Sequence, residues 1–120
     1  MKREDLRVGN RAKILSIYNA KDLANFPKYG DFLVRYSDYR GMLIVEIFKD
    51  FDQDGYIECL SWWNFPSKRG NIIPEEGISY KLGNGYDTYK ANNYEITLFI
   101  EKLRSFGYDW DFKNKQFIRI

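Results

Sequence analysis

Short apolar runs bounded by polar turn residues occupy the middle of the chain, and their length is that of β-strands. Three such runs, rich in β-branched and aromatic residues, are Phe32–Ser37, Met42–Phe48 and Tyr56–Trp62. Gly41 lies between the first two, and the strong turn dipeptide Asp54–Gly55 lies between the second and the third. The pattern predicts three strands of a mainly antiparallel sheet.

Further elements are predicted on both sides of these strands. Residues 6–18 indicate a turn followed by a strand, and Asn19–Phe26 indicates a short helical turn that Pro27 stops. Another strand is predicted at Ile78–Leu82, and the glycines at positions 83 and 85 indicate a turn after it. These additions enlarge the sheet, which could also curl into a half-open barrel.

Apolar residues recur at helical spacing towards the end of the chain. Asn92 and Asn93 are suitable N-caps and Gly107 is a suitable C-terminal stop; the apolar positions between them are Ile96, Phe99, Ile100, Leu103 and Phe106. Two short extended pieces follow, joined around residues 113–115. The whole pattern predicts a single α+β domain over residues 1–120, in which a small, mainly antiparallel β-sheet or half-open barrel carries one C-terminal helix and a short terminal strand.

Composition makes catalysis the less favoured class of function. Aromatic residues make up 18% of the chain, whereas histidine is absent and Cys59 is the only cysteine. Since histidine is the commonest general base and metal ligand, histidine-based triads are impossible and a Cys59 nucleophile would lack its usual base. Asp109 and Asp111 flank Trp110, but a carboxylate pair at this spacing is a weak indication of glycoside hydrolysis. We predict a non-enzymatic protein without a cofactor, in which Cys59 is a small buried hydrophobe.

Charge is segregated along the chain. The net charge of +2 is made of +4 over residues 1–40, −4 over residues 41–80 and +2 over residues 81–120, so a partner that reads charge would meet a polarised molecule. No apolar run is long enough to span a bilayer, and no apolar segment follows the basic start. Together with the single cysteine, this predicts a cytoplasmic protein without a membrane association.

The sharpest motif is the acidic run from Asp50 to Glu58. Its aspartates at positions 50, 52 and 54, followed by glycine, match the start of an EF-hand calcium loop, in which alternate residues supply hard oxygen ligands. Ser61 stands where a bidentate glutamate should complete the coordination, and strand-like flanks replace the helices. The favoured interpretation is a β-hairpin loop; the alternative is a weak divalent-ion site at Asp50, Asp52 and Asp54.

Aromatic and basic residues are concentrated at the end of the third strand. Since consecutive strand residues point to opposite faces, Trp62 and Trp63 cannot both be core residues, and one ring is expected to be exposed unless the loop folds back over the core edge. Trp, Tyr and Arg are favoured anchors of protein interfaces. We predict a binding surface, for a protein first of all, made of Trp62, Trp63, Phe65, Lys68, Arg69 and the two tyrosines that look most exposed, Tyr86 and Tyr89.

The alternative function is nucleic-acid binding by a small barrel. Exposed rings would stack on bases, and phosphate contacts would come from the basic residues Arg7, Arg11, Lys13, Lys68 and Arg69. The acidic middle of the chain makes this protein a weaker candidate than a dedicated nucleic-acid binder.

Two stretches of the chain carry motifs that occur together elsewhere. The first includes Phe32-Leu-Val-Arg-Tyr36, Asp54-Gly-Tyr-Ile-Glu-Cys59 and Ile73-Pro-Glu-Glu76. The second consists of Leu103, Gly107-Tyr-Asp-Trp-Asp111 and Lys115 to Ile120. They resemble the "DxVLVRD" strand, "DxDGY" hairpin, "IPYE" turn and "GYxWDxxxKxLxxI" ending of small uncharacterised proteins of gut bacteria and their phages. The resemblance implies a phage or mobile-element accessory protein that binds and modulates or inhibits a host macromolecule, such as a defence nuclease, and it supports the hairpin interpretation of the acidic run.

Overall fold

In the described part of the chain, a mainly antiparallel sheet carries one helix and a second, two-stranded sheet lies beside that helix. The computed structural model describes residues 27–37, 40–53, 56–72, 80–81 and 87–120. The elements of this part of the chain are β1 (Phe32–Ser37), β2 (Met42–Phe51), β3 (Ile57–Asn64), β4 (Arg69–Asn71), β5 (Tyr80–Lys81), β6 (Asp87–Lys90), α1 (Asn93–Ser105), β7 (Tyr108–Asp111) and β8 (Gln116–Arg119). The predicted α+β class is confirmed, while the strand and helical turn predicted within residues 6–26 lie outside the described residues.

Strands β1 to β6 form one sheet whose strand order is β4-β3-β2-β1-β6, and β5 pairs with β3 beside β4. All of these pairings are antiparallel. The three strands with the strongest sequence signal, β1, β2 and β3, lie together at its centre, where apolar and β-branched side chains can be covered on both faces. Their register places Val34 opposite Val45 and Phe32 opposite Ile47.

Register shifts between β2 and β3 decide to which face the β3 side chains point. Ile47 pairs with Ser61, but the next residue, Phe48, pairs with Cys59, so Leu60 is an extra residue on β3. Such a β-bulge interrupts the alternation of side chains along a strand. As a result Leu60 packs against the main core, whereas Cys59 lies beside Phe48 on the other face.

The main core lies on one face of the sheet, which we call the core face. Alternate residues of β1 and β2 point to this face and pack against α1 and the β7–β8 hairpin. The buried residues of this cluster are Phe32, Val34, Val45, Ile47, Ile72, Tyr89, Phe99, Ile100, Leu103 and Trp110. The opposite face carries a smaller apolar cluster, formed by Leu33, Phe48 and Ile57, and several buried polar residues.

Helix α1 begins and ends where the sequence predicts. Asn92 and Glu95 form a capping box, in which each side chain accepts the backbone N–H of the other residue at 2.9 Å. Gly107 follows the helix with a φ of 91°, in the left-handed region that favours glycine, and donates its N–H to the carbonyl of Arg104. These caps hold α1 in place, so that its apolar side covers the core face.

The β7–β8 hairpin packs beside α1 over the core face. Trp110 and Phe117 are paired across it, and their rings make an edge contact with centroids 4.9 Å apart. In the turn, the carboxylate of Asp111 accepts the N–H groups of residues 113 and 114, and Lys115 adopts a left-handed conformation with a φ of 53°. The predicted break around residues 113–115 is therefore confirmed, as is the short terminal strand.

Two short strands lie where the sequence analysis predicts no strand. β4 pairs with the end of β3, and β6 pairs with β1 over residues 33–36. Strand β4 carries no strand-favouring residue and β6 carries only Thr88 and Tyr89 between two charged residues, so their extended form depends on the neighbouring strand that offers its edge. For β6 this pairing changes the interpretation of a predicted binding residue, Tyr89.

Candidate binding surface

The two consecutive tryptophans lie within β3 and point to opposite faces of the sheet, as predicted. Trp63 pairs with Val45 of the core face, whereas Trp62 pairs with Glu46 of the opposite face. Both side chains are half-buried. The expectation of one exposed ring is therefore wrong, because β3 is flanked by β2 and β4 at this point and each ring is partly covered.

Trp63 lies at the margin of the core between three neighbours. Its ring makes an edge contact with Phe106, with centroids 5.6 Å apart and an interplanar angle of 62°. The Nζ atom of Lys102 lies over the ring, 5.2 Å from its centroid, where the π-electrons attract the cation. On β4, a Cβ at Gly70 would come within 2.8 Å of the ring atom Cε3, so the glycine backbone lies directly against the indole. Phe106 remains 40% exposed, which leaves this aromatic pair accessible at the surface.

Two more apolar side chains extend this surface along the strand ends. Phe65 directly follows β3 and donates its N–H to the carbonyl of Leu43 at 3.0 Å. Both side chains are half-buried and pack against the main core. We call the surface formed by Leu43, Trp63, Phe65, Lys102 and Phe106 the Trp63 patch.

Positive charge accompanies the Trp63 patch. Lys68 lies in the turn between β3 and β4 with a φ of 55°, Arg69 begins β4, and both side chains are exposed. Lys102 lies in the last turn of α1, where the helix dipole favours a cation. In the described part of the chain, none of these three residues forms a salt bridge. The Trp63 patch therefore combines partly uncovered rings with the Lys102 cation, while the pairing of Arg69 with Asn64 places Arg69 on the opposite face of the sheet from Trp63.

Tyr89 is a core residue, so the prediction that it is exposed is wrong. The pairing of β6 with β1 places it opposite Val34 on the core face, where it is 7% exposed. The glycine-flanked sequence indicated a loop because nothing in its neighbouring residues reveals the pairing with β1. The other predicted residues Tyr86, Asp54, Arg7, Arg11 and Lys13 lie outside the described residues.

The strands on either side of the acidic run pair as a β-hairpin, as the favoured interpretation predicts, while Asp54 and Gly55 lie outside the described residues. Asp50 lies in β2, and its Oδ1 accepts the N–H of Phe51 at 2.8 Å. Asp52 donates its own N–H to the carbonyl of Tyr56, and its Oδ1 accepts the N–H of Tyr56 at 2.9 Å. These carboxylates therefore stabilise the hairpin backbone. Over the described ranges, no group of three or more acidic or cysteine side chains is arranged to hold a metal ion.

A buried ion pair on the opposite face was not found by sequence reasoning. Nε of Arg35 donates to Oε1 of Glu46 at 2.7 Å, and the two side chains are 3% and 0% exposed. They are diagonal neighbours across β1 and β2, a spacing that long side chains can bridge. The signal that could have found them is one charged residue inside each apolar strand, since such residues are seldom buried unless they are paired.

Cys59 lies beside this ion pair and is fully buried, as predicted. Burial raises the pKa of its thiol well above the ordinary value, and the charge of Glu46 and a hydrogen bond with it raise the pKa further, against the opposing charge of Arg35. The thiol is therefore protonated at neutral pH. Because the thiolate is the nucleophile and the metal ligand, these surroundings disfavour both kinds of chemistry at Cys59.

Comparison of the chain with protein-family models, with curated proteins and with solved structures found no match. The resemblance to proteins of gut bacteria and their phages therefore stays a prediction. In the part of the chain that the structure describes, no helix is long and apolar enough to cross a membrane. Inference about function therefore depends on the surfaces of the molecule.

Proposed function

We propose that this protein acts by binding another protein through the Trp63 patch, and that the partner presents an acidic and partly apolar surface. The observation that carries the proposal is the arrangement around Trp63, with Phe106 at its edge and the Lys102 ammonium over its face. Aromatic anchors beside cations are typical of the residues that dominate the energy of protein interfaces.

The order already present in the Trp63 patch supports this proposal. Gly70 supports the Trp63 ring from β4, and the backbone hydrogen bond from Phe65 to Leu43 ties the end of β3 to β2. Side chains that are held in place before binding lose little conformational freedom when a partner docks. The neighbouring cations would also speed the approach of an acidic partner and discriminate against a basic one.

The sequence resemblance supports a host macromolecule as the partner. The motifs within residues 32–76 and 107–120 resemble those of small proteins of gut bacteria and their phages, so the concrete proposal is a cytoplasmic accessory protein that modulates or inhibits a host protein, such as a defence nuclease. Covering part of the partner's surface would be enough for this effect, and it requires no catalytic group in this chain.

The test is capture of partners from a gut-bacterial lysate on the immobilised 120-residue protein, read by mass spectrometry. Two variants alter the Trp63 patch, Phe106→Ala and Lys102→Glu, and the matched control Tyr94→Ala removes an exposed ring near the other end of α1. We expect a protein that the wild type and Tyr94→Ala retain and that both patch variants lose.

The affinity of that purified protein should fall about 30-fold or more for a variant that removes an interface anchor. All variants must first show the thermal stability of a folded protein. A set of captured proteins that is the same for all four baits would contradict the proposal.

Nucleic-acid binding is the second candidate function, because rings and cations at the Trp63 patch are also the groups that bind single strands. Phe106 would stack on a base, and Lys68, Arg69 and Lys102 would contact phosphates. This function predicts affinity for a single-stranded oligonucleotide that falls steeply with salt concentration. It is excluded if fluorescence anisotropy shows no binding at low salt, or binding that Phe106→Ala leaves unchanged.

A further inference from the structure

We propose a second binding site at the outer edge of β8, which takes up an extended segment of another protein as an added β-strand. The segment that fits carries two acidic residues four positions apart, with apolar or β-branched residues between them. This site is separate from the Trp63 patch, because β8 belongs to the two-stranded sheet and contributes no residue to the patch.

The outer edge of β8 offers backbone groups for pairing. Ile120 donates its N–H to the carbonyl of Gly107 at 2.9 Å, and bonded and non-bonded pairs alternate along an antiparallel ladder. Asp109 and Ile118 therefore form a bonded pair, and the N–H and C=O groups of Phe117 and Arg119 point away from β7. No hydrogen bond among the described residues engages these outward groups.

The β8 edge is accessible and rigidly held. Gln116, Ile118 and Arg119 are exposed. The Ile118 side chain is 44% exposed although it is a large apolar residue in a strand. The strand is anchored from behind by the contact of Phe117 with Trp110. An accessible edge on a strand that is already extended is the requirement for adding a peptide strand.

The charges along this edge select an acidic segment. Arg119 near the end of β8 and Lys115 at the turn are exposed, and within the described residues neither forms a salt bridge. The acidic residues of the hairpin are already engaged, since Asp109 pairs with Arg104 at 3.2 Å and Asp111 holds the turn. A partner strand would thus meet Arg119 on one face of β8 and Ile118 on the other, with Lys115, whose aliphatic stem lies beside Gly30, at the turn.

The same charges disfavour a second copy of this chain as the occupant. An antiparallel pairing of β8 with itself, centred on Ile118, would place the two Arg119 side chains as diagonal neighbours on one face. Like charges on an edge strand are a common protection against self-association. The cations attract an acidic segment and repel a second copy of β8. This difference in binding free energy makes the edge specific for the acidic segment.

The test is an NMR titration of the protein with the capped heptapeptide Ser-Glu-Val-Val-Thr-Glu-Ser. We expect saturable shifts concentrated at the amides of Phe117 and Arg119, and binding about fivefold weaker when both glutamates are replaced by lysine. The same peptide with alternate amides N-methylated keeps its charge but cannot pair as a strand, and it should not bind. In Arg119→Glu, which places one acidic residue near the remaining Lys115, the preference between the glutamate and lysine peptides should be lost.

The proposal is overturned if no saturable shift occurs up to about 5 mM peptide, or if the N-methylated peptide binds as well as the parent. Equal binding of the glutamate and lysine peptides, or shifts at Trp63 and Phe106 instead of β8, would also overturn it. Analytical sedimentation of the protein without peptide measures its oligomeric state. A dimer whose stability changes in Arg119→Glu would assign the β8 edge to a second copy of the chain and overturn the proposal. The variant Phe106→Ala should leave peptide binding unchanged, which separates this site from the proposed function.

Discussion

Replacement of Glu46 by glutamine should destabilise the fold more than any surface charge change, because it removes the negative charge that Glu46 places beside the buried Arg35 guanidinium. The two side chains are 0% and 3% exposed, and Nε of Arg35 lies 2.7 Å from Oε1 of Glu46. Glutamine has nearly the same size and still offers an oxygen that can accept this hydrogen bond. The substitution therefore removes the charge with little change in packing.

The expected loss is set by the cost of removing the charge of one member of a buried ion pair. Such a change typically costs about 3–5 kcal/mol, and the hydrogen bond that glutamine retains places the expectation near the lower end, at about 3 kcal/mol. The unfolding entropy of a chain of this length near its melting temperature is roughly 0.25 kcal/mol per kelvin. The melting temperature should accordingly fall by about 12 °C.

Urea denaturation followed by tryptophan fluorescence, together with thermal melts, measures this loss. The matched control is Glu101→Gln, the same chemical change at an exposed position of α1. Adding Arg35→Met to Glu46→Gln removes the buried cation and should restore part of the lost stability, as a double-mutant cycle would show. A loss below about 1 kcal/mol, equal to that of Glu101→Gln, would refute the reasoning that this pair is buried and coupled.

Three further predictions concern Cys59 and two backbone positions. Since burial raises the pKa of the Cys59 thiol, the unfolded chain loses a proton above about pH 8.5 that the folded chain keeps, and stability falls as pH rises. Melting temperatures should thus decline more steeply towards alkaline pH for the wild type than for Cys59→Ala. Parallel curves of melting temperature against pH for the two proteins would contradict a raised pKa of the Cys59 thiol. Asn92→Ala removes the N-cap and should lower the free energy of unfolding, measured by urea denaturation, by about 1 kcal/mol. Asn93→Ala, one position further on, should lower it less, and equal losses for the two variants would contradict the role of Asn92 as the N-cap. Gly70→Ala should cost about 1–3 kcal/mol, because its Cβ would lie 2.8 Å from Cα of Trp63 and must push β4 away; an unchanged melting temperature and Trp fluorescence would show that the strands are not so closely packed.

Elements with a strong local signal could be predicted from the sequence. The β2–β3 hairpin was predicted because two apolar runs flank turn residues, and α1 because its caps Asn92 and Gly107 enclose apolar residues at helical spacing. The strands β4 and β6 could not, because Arg-Gly-Asn and Asp-Thr-Tyr-Lys become extended only beside the edges of β3 and β1. The direction of the Tyr89 side chain could not be predicted for the same reason, because the pairing of β6 with β1 places this side chain in the core.

The Trp63 patch likewise has one feature that could be predicted from the sequence and one that could not. The opposite orientation of Trp62 and Trp63 follows from strand periodicity and was predicted. The contact of Trp63 with Phe106 and Lys102 was not, because α1 and β3 are distant in the chain and meet only when the helix packs on the core face.

The sequence by itself determined the α+β class, the central strands, the capped helix and the terminal hairpin, because these depend on turn residues, caps and apolar spacing among near neighbours in the chain. Only the tertiary structure decided which aromatic rings are buried, that Arg35 and Glu46 form a buried ion pair, and that the edge of β8 is accessible. Burial and strand pairing depend on which distant segments meet, and no local pattern specifies that.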